Sequence, residues 1–264
     1  MLEDVVKSSA APQAADLYLN LLKRALTNTI FEPEPNADDE DQVNFIKNFT
    51  VHYMRGQAVS MLPRARLDNL QACVLDVIER EVPGDLIEAG VWRGGATILM
   101  RGVLKAYGVT DRLVWVCDSF EGLPEPDAEK YPIEAESYNA PVVVRGYKRF
   151  AAGIEDVQRN FASFELLDGQ VRFLKGWFKD TLPGAPIEKL AVMRLDGDYY
   201  ESTMDGLNNL YGKLSPGGYA IIDDYGEDTW TYCRKAVDHF RQQNKIREPM
   251  IQVDSKCYFW RRDC

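Results

Sequence analysis

The stretch Leu86-Ile87-Glu88-Ala89-Gly90 is a short apolar run that ends in an acidic residue and a glycine. The same form recurs in three other places: Val114-Trp115-Val116-Cys117-Asp118-Ser119, Leu190-Ala191-Val192-Met193-Arg194-Leu195-Asp196-Gly197-Asp198 and Tyr219-Ala220-Ile221-Ile222-Asp223-Asp224-Tyr225. Continuous apolar runs are typical of parallel strands that are covered on both faces, and ligands bind at the carboxyl ends of such strands. The acidic residues therefore stand where an α/β enzyme carries its site.

Strand and helix patterns alternate around these runs. The predicted strands are 84–89, 113–117, 171–174, 190–195 and 218–222, with a final hairpin near 249–253 and 257–261. The predicted helices between them run from the glycine turn through Tyr107 and near 154–164, 200–213 and 230–243. This alternation predicts an α/β fold: a doubly wound, mostly parallel sheet of about seven strands, with an antiparallel edge hairpin and helices on both faces.

Two segments are predicted to cover the site. Residues 1–80 read as an N-terminal helical and lid region, with helices at 13–28 and 64–80, packed on a core that spans 81–264. Residues 35–62 and the insertion 119–153 are the expected lids, and the insertion reads as a long irregular stretch. An irregular connection of that length is usually a lid or a binding loop.

Composition excludes several classes of protein. The chain has 264 residues, 45% of them apolar, and a net charge of −10, which fits one long α/β domain and argues against a nucleic-acid partner. The sequence shows neither a signal peptide nor an apolar run long enough for a membrane span, so a cytoplasmic location is expected. Five unpatterned cysteines read as reduced thiols, and two histidines without a CxxC pair argue against structural zinc.

The turn from Gly90 to Gly95 is rich in glycine and leads into a helix. Glycines let the backbone approach a ligand, and a helix N-terminus attracts anions, but the spacing differs from the dinucleotide fingerprint. Glu88 can accept the ammonium of S-adenosylmethionine, and the amides of the turn can bind its carboxylate. Asp118 can accept hydrogen bonds from both ribose hydroxyls. These features predict an adenosyl cofactor and favour S-adenosylmethionine over NAD.

Four aspartates end two strands that we expect to be neighbours: Asp196, Asp198, Asp223 and Asp224. Oxygen ligands without His or Cys suit a hard cation such as Mg²⁺, with Ca²⁺ or Mn²⁺ as alternatives. Without a cation, packed carboxylates raise one another's pKa values and cost stability. The pattern predicts a divalent-cation site; the alternative is that Asp223 and Asp224 cap the next turn while Asp198 faces water.

Five motifs together resemble the macrocin-type sugar O-methyltransferases, which modify deoxysugars on macrolide and aminocoumarin antibiotics. They are Glu88-Ala89-Gly90-Val91-Trp92-Arg93-Gly94-Gly95, Asp118-Ser119-Phe120-Glu121-Gly122, Gly176-Trp177-Phe178-Lys179-Asp180-Thr181, Leu195-Asp196-Gly197-Asp198 and Ile222-Asp223-Asp224-Tyr225. The resemblance covers nearly the whole chain and is specific as a set. It implies a class I methyltransferase fold, S-adenosylmethionine, Mg²⁺ and usually a homodimer.

The resemblance also implies residue roles. Asp196, Asp223 and Asp224 are the implied metal ligands, and Asp198 is the implied general base. The expected cofactor contacts are Met61, Glu88, Gly90, Arg93, Gly94, Gly95, Asp118, Ser119, Gly176, Trp177, Phe178 and Asp196. The family has a histidine shortly before the position of Met61 and another in the mid-chain loop. This chain has no histidine between His52 and His239, so the acceptor stays open.

The function predicted from the sequence is Mg²⁺-dependent transfer of a methyl group from S-adenosylmethionine to a hydroxyl of a sugar, on a small-molecule glycoside acceptor. A cation that chelates two adjacent hydroxyls lowers the pKa of one of them, and Asp198 then removes its proton. Two alternatives remain open. One is an NAD-dependent sugar oxidoreductase or epimerase, and the other is a non-catalytic adenosyl-binding protein.

Overall fold

The computed structural model describes residues 11–31, 56–146, 148–226 and 231–263, which build one sheet of seven strands flanked by helices. The strands are β1 (Asp85–Ala89), β2 (Val114–Asp118), β3 (Val171–Lys175), β4 (Leu190–Leu195), β5 (Leu214–Ile222), β6 (Ile251–Gln252) and β7 (Tyr258–Arg261). The helices are α1 (Ala11–Leu26), α2 (Arg64–Glu79), α3 (Gly95–Ala106), α4 (Pro132–Asn139), α5 (Ile154–Ser163), α6 (Phe178–Thr181), α7 (Tyr200–Leu210) and α8 (Thr231–Gln243).

The strand order is β3-β2-β1-β4-β5-β7-β6. Strands β1 to β5 are parallel, whereas β7 runs antiparallel to β5 and β6 antiparallel to β7. The chain winds outward from β1 in one direction and from β4 in the other, so the order reverses between these two strands. Ligands of open α/β sheets bind at such a switch point, outside the carboxyl ends of the strands. The predicted sheet with its antiparallel edge is confirmed.

Alternate side chains of the central strands point into two separate buried clusters. Leu86 of β1 belongs to the cluster that contains residues of α1, α2, α3 and α5. Its neighbour Ile87 belongs to the cluster that contains residues of α7 and α8. Because both faces are covered, the strands read as continuous apolar runs. The N-terminal helices therefore share a core with the sheet.

Two elements differ from the prediction. Strand β5 begins at Leu214 instead of 218 and includes Pro216, whose missing N–H lies near a register shift between β4 and β5. The insertion 119–153 is not irregular throughout: it contains α4, a π-helical turn at Val142–Gly146 and a 3₁₀ turn at Lys148–Phe150. The N–H of Leu123 donates to the carbonyl of Arg149 at 2.9 Å, which closes the insertion upon itself.

Some expectations concern residues outside those described. Most of the lid 35–62 lies there, and only residues 56–62 of that lid are described. In the described ranges, no helix combines the length and the apolar composition that a membrane span requires. Cys73, Cys117, Cys233 and Cys257 are buried free thiols.

Candidate active site

A cavity of about 800 Å³ lies at the carboxyl ends of β1, β2, β4 and β5. Its volume is in the range of about 300–1,000 Å³ that is usual for small-molecule sites. Part of its wall consists of acidic side chains at the strand ends. Other parts of the wall come from the first residues of α2 and α3, the first half of α7, the segment 59–63, the insertion at 122–125 and Phe150, residues 177–179 and the turn 254–256. The sequence predicted acidic residues at this edge of the sheet, and in the structure they line one cavity.

Gly90 lies where the ends of β1 and β4 come close together. Its φ is 93°, and a Cβ atom on this residue would be 1.8 Å from the carbonyl oxygen of Asp196. The N–H of Asp196 donates to the carbonyl of Ala89 at 2.9 Å. Glycine is therefore required for steric reasons, and the close approach places Asp196 beside the turn that follows β1.

Glu88, at the end of β1, is buried with one oxygen engaged and one open. Its Oε1 accepts a hydrogen bond from Nη1 of Arg194. Its Oε2 is buried and has no hydrogen-bond partner within the described chain. Burial raises the pKa of Glu88 to about 8; Arg194 opposes that rise, and the charges of Asp196 and Asp223 add to it. A cationic group bound beside Oε2 would satisfy it.

Asp118, at the end of β2, ties the turn after β1 to its own strand. Its Oδ2 accepts from the N–H groups of Val91 at 2.8 Å and Trp92 at 3.3 Å. Its Oδ1 accepts from the N–H of Phe120 at 2.8 Å and from Oγ of Ser119 at 3.3 Å. Burial raises the pKa of this carboxyl, and these hydrogen bonds oppose the rise. Two of the four bonds are long, so they are the ones that a ribose hydroxyl could replace.

Asp196, Asp198 and Asp224 form a carboxylate cluster in which each residue offers one oxygen and all three atoms lie within 4.8 Å of one another. Oδ2 of Asp224 is buried and has no hydrogen-bond partner among the described residues. Burial, followed by the charge of Asp223, raises the pKa of Asp196 to about 6. Burial and neighbouring carboxylates also raise the pKa values of Asp198 and Asp224 well above the usual range. This donor set fits a hard divalent cation.

Asp223 lies outside this cluster, and both of its carboxylate oxygens accept hydrogen bonds from arginines. Its Oδ1 accepts from Nη2 of Arg194, and its Oδ2 accepts from Nη1 of Arg66 at 2.6 Å. Arg66 also donates from Nε to Asp254 at 2.7 Å. The structure therefore groups Asp198, in place of Asp223, with the other two expected ligands.

Most of the expected cofactor contacts line the cavity, namely Met61, Glu88, Gly90, Gly95, Asp118, Ser119, Trp177, Phe178 and Asp196. Arg93, Gly94 and Gly176 are not part of the cavity wall in the described chain. Nη1 of Arg93 donates to the carbonyl of Ala58 at 2.7 Å, which fastens the segment before α2 to the turn after β1. Gly94 and Gly176 have φ of 88° and 137°, so they shape turns beside the cavity.

The sequence reasoning missed Arg194 and Arg66, the counter-charges of the site. Arg194 is 1% exposed and contacts Glu88, Asp196 and Asp223. One signal was available, because Arg194 is a single charged residue inside an otherwise apolar strand run. A buried charge is rarely found without a partner. The acids were read as open to ligands, whereas several of them are partly neutralised by these arginines.

A family model for macrocin O-methyltransferases matches residues 55–262, well over half of the chain. The chain belongs to the macrocin O-methyltransferase family. The predicted family is therefore confirmed, and with it the prediction that the chain is an O-methyltransferase. The expected use of S-adenosylmethionine agrees with this membership.

Three characterised relatives are similar over nearly their whole length. The 8-demethyl-8-(2,3-dimethoxy-alpha-L-rhamnosyl)-tetracenomycin-C 4'-O-methyltransferase of Streptomyces olivaceus is 47% identical, over 94% of this chain and 93% of the relative. Demethyldecarbamoylnovobiocin O-methyltransferase of Streptomyces niveus is 44% identical, over 94% of each. Mycinamicin III 3''-O-methyltransferase of Micromonospora griseorubida is 44% identical, over 94% of this chain and 96% of the relative.

Solved structures agree with the fold. The O-methyltransferase NovP superposes with a TM-score of 0.82 at 45% identity, covering 95% of this chain and all of that one. The calicheamicin methyltransferase CalS11 gives a TM-score of 0.60 at 18% identity, over 97% of this chain and 94% of that one, a likeness of fold alone. The predicted class I methyltransferase fold is confirmed.

Proposed function

We propose that this family member transfers the methyl group of S-adenosylmethionine to a hydroxyl of a sugar on a glycosylated natural product, in a reaction that depends on Mg²⁺. The observation that carries the proposal is the meeting, in one cavity, of an open oxygen of Glu88 with the carboxylate cluster of Asp196, Asp198 and Asp224. The first group suits the amino-acid end of the donor, and the second suits a cation that binds the acceptor.

The donor site would be formed by the ends of β1 and β2. Glu88 would accept the ammonium of the donor at Oε2, and the first amides of α3, next to Gly95, would bind its carboxylate. Asp118 would accept the ribose hydroxyls in place of its two long hydrogen bonds. Met61, Trp177 and Phe178 line the same cavity and supply apolar surface for the rest of the cofactor.

The acceptor site would be formed by the ends of β4 and β5. Asp196 and Asp224 would hold the cation, and Asp223 would orient Arg66 and Arg194 beside them. When bound, Mg²⁺ supplies Lewis-acid chemistry that makes a hydroxyl more acidic. Asp198 lies within reach of both ligands and would take the proton of the reacting hydroxyl. The loops around the cavity would hold the acceptor in line with the methyl group, and alignment of this kind contributes much of the rate of group transfer.

The sugar acceptor is proposed from the relatives. The name of the Streptomyces olivaceus enzyme contains a dimethoxyrhamnosyl group, and the other two act on novobiocin and mycinamicin compounds.

The homodimer and the cytoplasmic location remain predictions. Sedimentation of the purified chain tests the first, since a monomer at micromolar concentration would contradict it.

Calorimetric titration with S-adenosylmethionine, its demethylated product and NAD tests the donor. A methyl-transfer assay over a panel of glycosylated natural products, with the matching aglycones as controls, tests the acceptor. We expect binding of both adenosyl compounds, transfer to glycosides only, loss of activity with a chelator and recovery with Mg²⁺ or Mn²⁺. Tight binding of NAD alone would support an oxidoreductase, and cofactor binding without transfer a non-catalytic protein. Full activity after exhaustive chelation would reject the cation.

A further inference from the structure

We propose that Arg194 is a positioning residue that links the donor side of the cavity to its cation side, so that a change at a cation-side carboxylate alters donor binding. This inference rests on the proposed function, because it assigns Glu88 to the donor. The link is a single guanidinium group that contacts carboxylates from three neighbouring strands.

The position of Arg194 in the sheet makes these contacts possible. Arg194 lies in β4, directly opposite Glu88 of β1 in the strand register, and opposite Ile221 of β5 on its other side. Its side chain is 2% exposed. A charge buried this deeply is stable only when it is paired, and the ends of β1, β4 and β5 supply three acids around it.

The two terminal nitrogens of Arg194 donate hydrogen bonds to different acids. Nη1 donates to Oε1 of Glu88 and to Oδ2 of Asp196, the latter at 2.9 Å. Nη2 donates to Oδ1 of Asp223. The guanidinium group is planar and rigid, so its nitrogens cannot adjust independently. The strength of the hydrogen bond between Arg194 and Glu88 therefore depends on whether residue 223 carries a carboxylate that binds the same guanidinium group.

The direction of the effect follows from charge. Asp223 neutralises part of the guanidinium charge. If that carboxylate becomes a neutral amide, Arg194 acts more strongly on Glu88, and Glu88 becomes a weaker acceptor for the ammonium of the donor. Donor affinity should fall even though Asp223 does not lie at the donor site.

The neighbouring residue Asp224 provides a matched control. Asp223 and Asp224 are adjacent in the chain, and both are buried, at 5% and 7% exposure. Within the described residues, no hydrogen bond joins Asp224 to Arg194, and Oδ2 of Asp224 has no partner. Replacing either residue by Asn makes the same near-isosteric change in the same region, but only Asp223→Asn changes a partner of Arg194.

The test is calorimetric titration of the full chain with S-adenosylhomocysteine in the presence of a chelator, so that the cation plays no part. Asp223→Asn should weaken binding about fivefold or more, in the usual range of coupling between sites, and Asp224→Asn should change it less than twofold. Equal changes in the two variants would overturn the inference, since the effect would then not depend on the contact with Arg194. Absence of binding by the unaltered protein would instead overturn the proposed function.

A second pair of variants tests the guanidinium group of Arg194 itself. This pair can replace the first if Asp223→Asn does not fold. Arg194→Lys keeps the charge but cannot reach three carboxylates with fixed geometry. Arg66→Lys makes the same change in an arginine that contacts Asp223 and Asp254 but not Glu88. Without the planar guanidinium group Oε1 of Glu88 is no longer held in position, so Arg194→Lys should weaken S-adenosylhomocysteine binding about fivefold or more. Arg66→Lys leaves that contact in place and should change binding less than twofold. Equal affinities in these two variants would also overturn the inference. Circular dichroism verifies that each variant is folded.

Discussion

The carboxylate of Glu134 accepts a hydrogen bond of 2.7 Å from the backbone N–H of Tyr200. This bond joins α4, inside the insertion, to the first residue of α7. Tyr200 follows Asp198 by two residues, so the bond fastens the insertion to the turn that carries the proposed base. Glu134 is 3% exposed, and a buried carboxylate at a helix N-terminus is stabilised by the helix dipole.

This contact predicts a pH-dependent contribution to stability. Burial raises the pKa of Glu134 to about 7, the N–H of Tyr200 opposes the rise, and the charge of Glu201 adds to it. The unfolded chain releases this proton at lower pH than the folded chain does. The contribution of Glu134 is therefore fully present below its unfolded pKa and is lost as pH rises through about 7.

We expect Glu134→Gln to remove this loss. Between pH 5 and pH 8, the unfolding temperature of the variant should therefore fall less than that of the unaltered protein. Glu136→Gln is the control, because Glu136 lies exposed on the same helix. Thermal unfolding followed by circular dichroism at both pH values makes the comparison. Parallel pH profiles for the unaltered protein and Glu134→Gln would contradict the prediction.

Asp118→Ala should weaken binding of S-adenosylhomocysteine by roughly 1–3 kcal/mol, because charge-assisted hydrogen bonds are lost. Asp85 is the matched control. It lies at the opposite end of β1 and accepts from the N–H of Leu113 and Nε1 of Trp115, both at 2.8 Å. Asp85→Ala should lower the unfolding temperature and leave the affinity unchanged. Equal losses of affinity in the two variants would show that Asp118 acts through stability alone.

Gly90→Ala should destabilise the fold by about 1–3 kcal/mol, since the new methyl group collides with the backbone of Asp196 and the residue keeps a positive φ. Gly212→Ala, where a Cβ atom would meet nothing within 4 Å, should stay within about 0.5 kcal/mol. Urea unfolding measures both. Similar stabilities for the two variants would mean that β1 and β4 do not approach as closely as described.

Asp198→Asn separates the base from the ligands. The amide keeps the shape of the side chain but cannot accept the proton, so turnover should fall by roughly 10²–10⁴-fold. Binding of S-adenosylhomocysteine and of Mn²⁺, followed by calorimetry and paramagnetic resonance, should persist. Asp196→Asn should lose Mn²⁺ binding and turnover together. Loss of Mn²⁺ binding in Asp198→Asn would make Asp198 a ligand, and unchanged turnover would reject it as the base.

The strands were predictable from the sequence because a parallel strand in this fold is apolar on both faces. The edges of β1 to β4 lie within one residue of the prediction. The start of β5 was missed because Pro216 and the glycines after it read as a turn. The strand accommodates the proline and the glycines through a register shift against β4. The sequence pattern does not indicate that shift.

The arginine contacts of the site were not predictable in the same way. Arg194 and Glu88 are 106 residues apart, and Arg66 and Asp223 are 157 apart. Spacing within one sequence does not show which residues face each other across a sheet. Helix α4 was missed for a related reason: it has eight residues and one buried side chain, Glu134, so no apolar periodicity marks it.

The cavity wall combines strand ends with helices and loops, and this division bears on how the family diversifies. Every acid assigned to the donor or the cation stands at the end of a strand or within two residues after it, next to the core of the sheet. Positions outside the strands that line the same cavity include Leu123, Pro124, Phe150, Lys179 and Ser255. Substitutions in a library confined to these positions would change the shape of the cavity without replacing any of the acids. Enzymes that descend from one ancestor can thus keep the same transfer chemistry and differ in the glycoside that they accept.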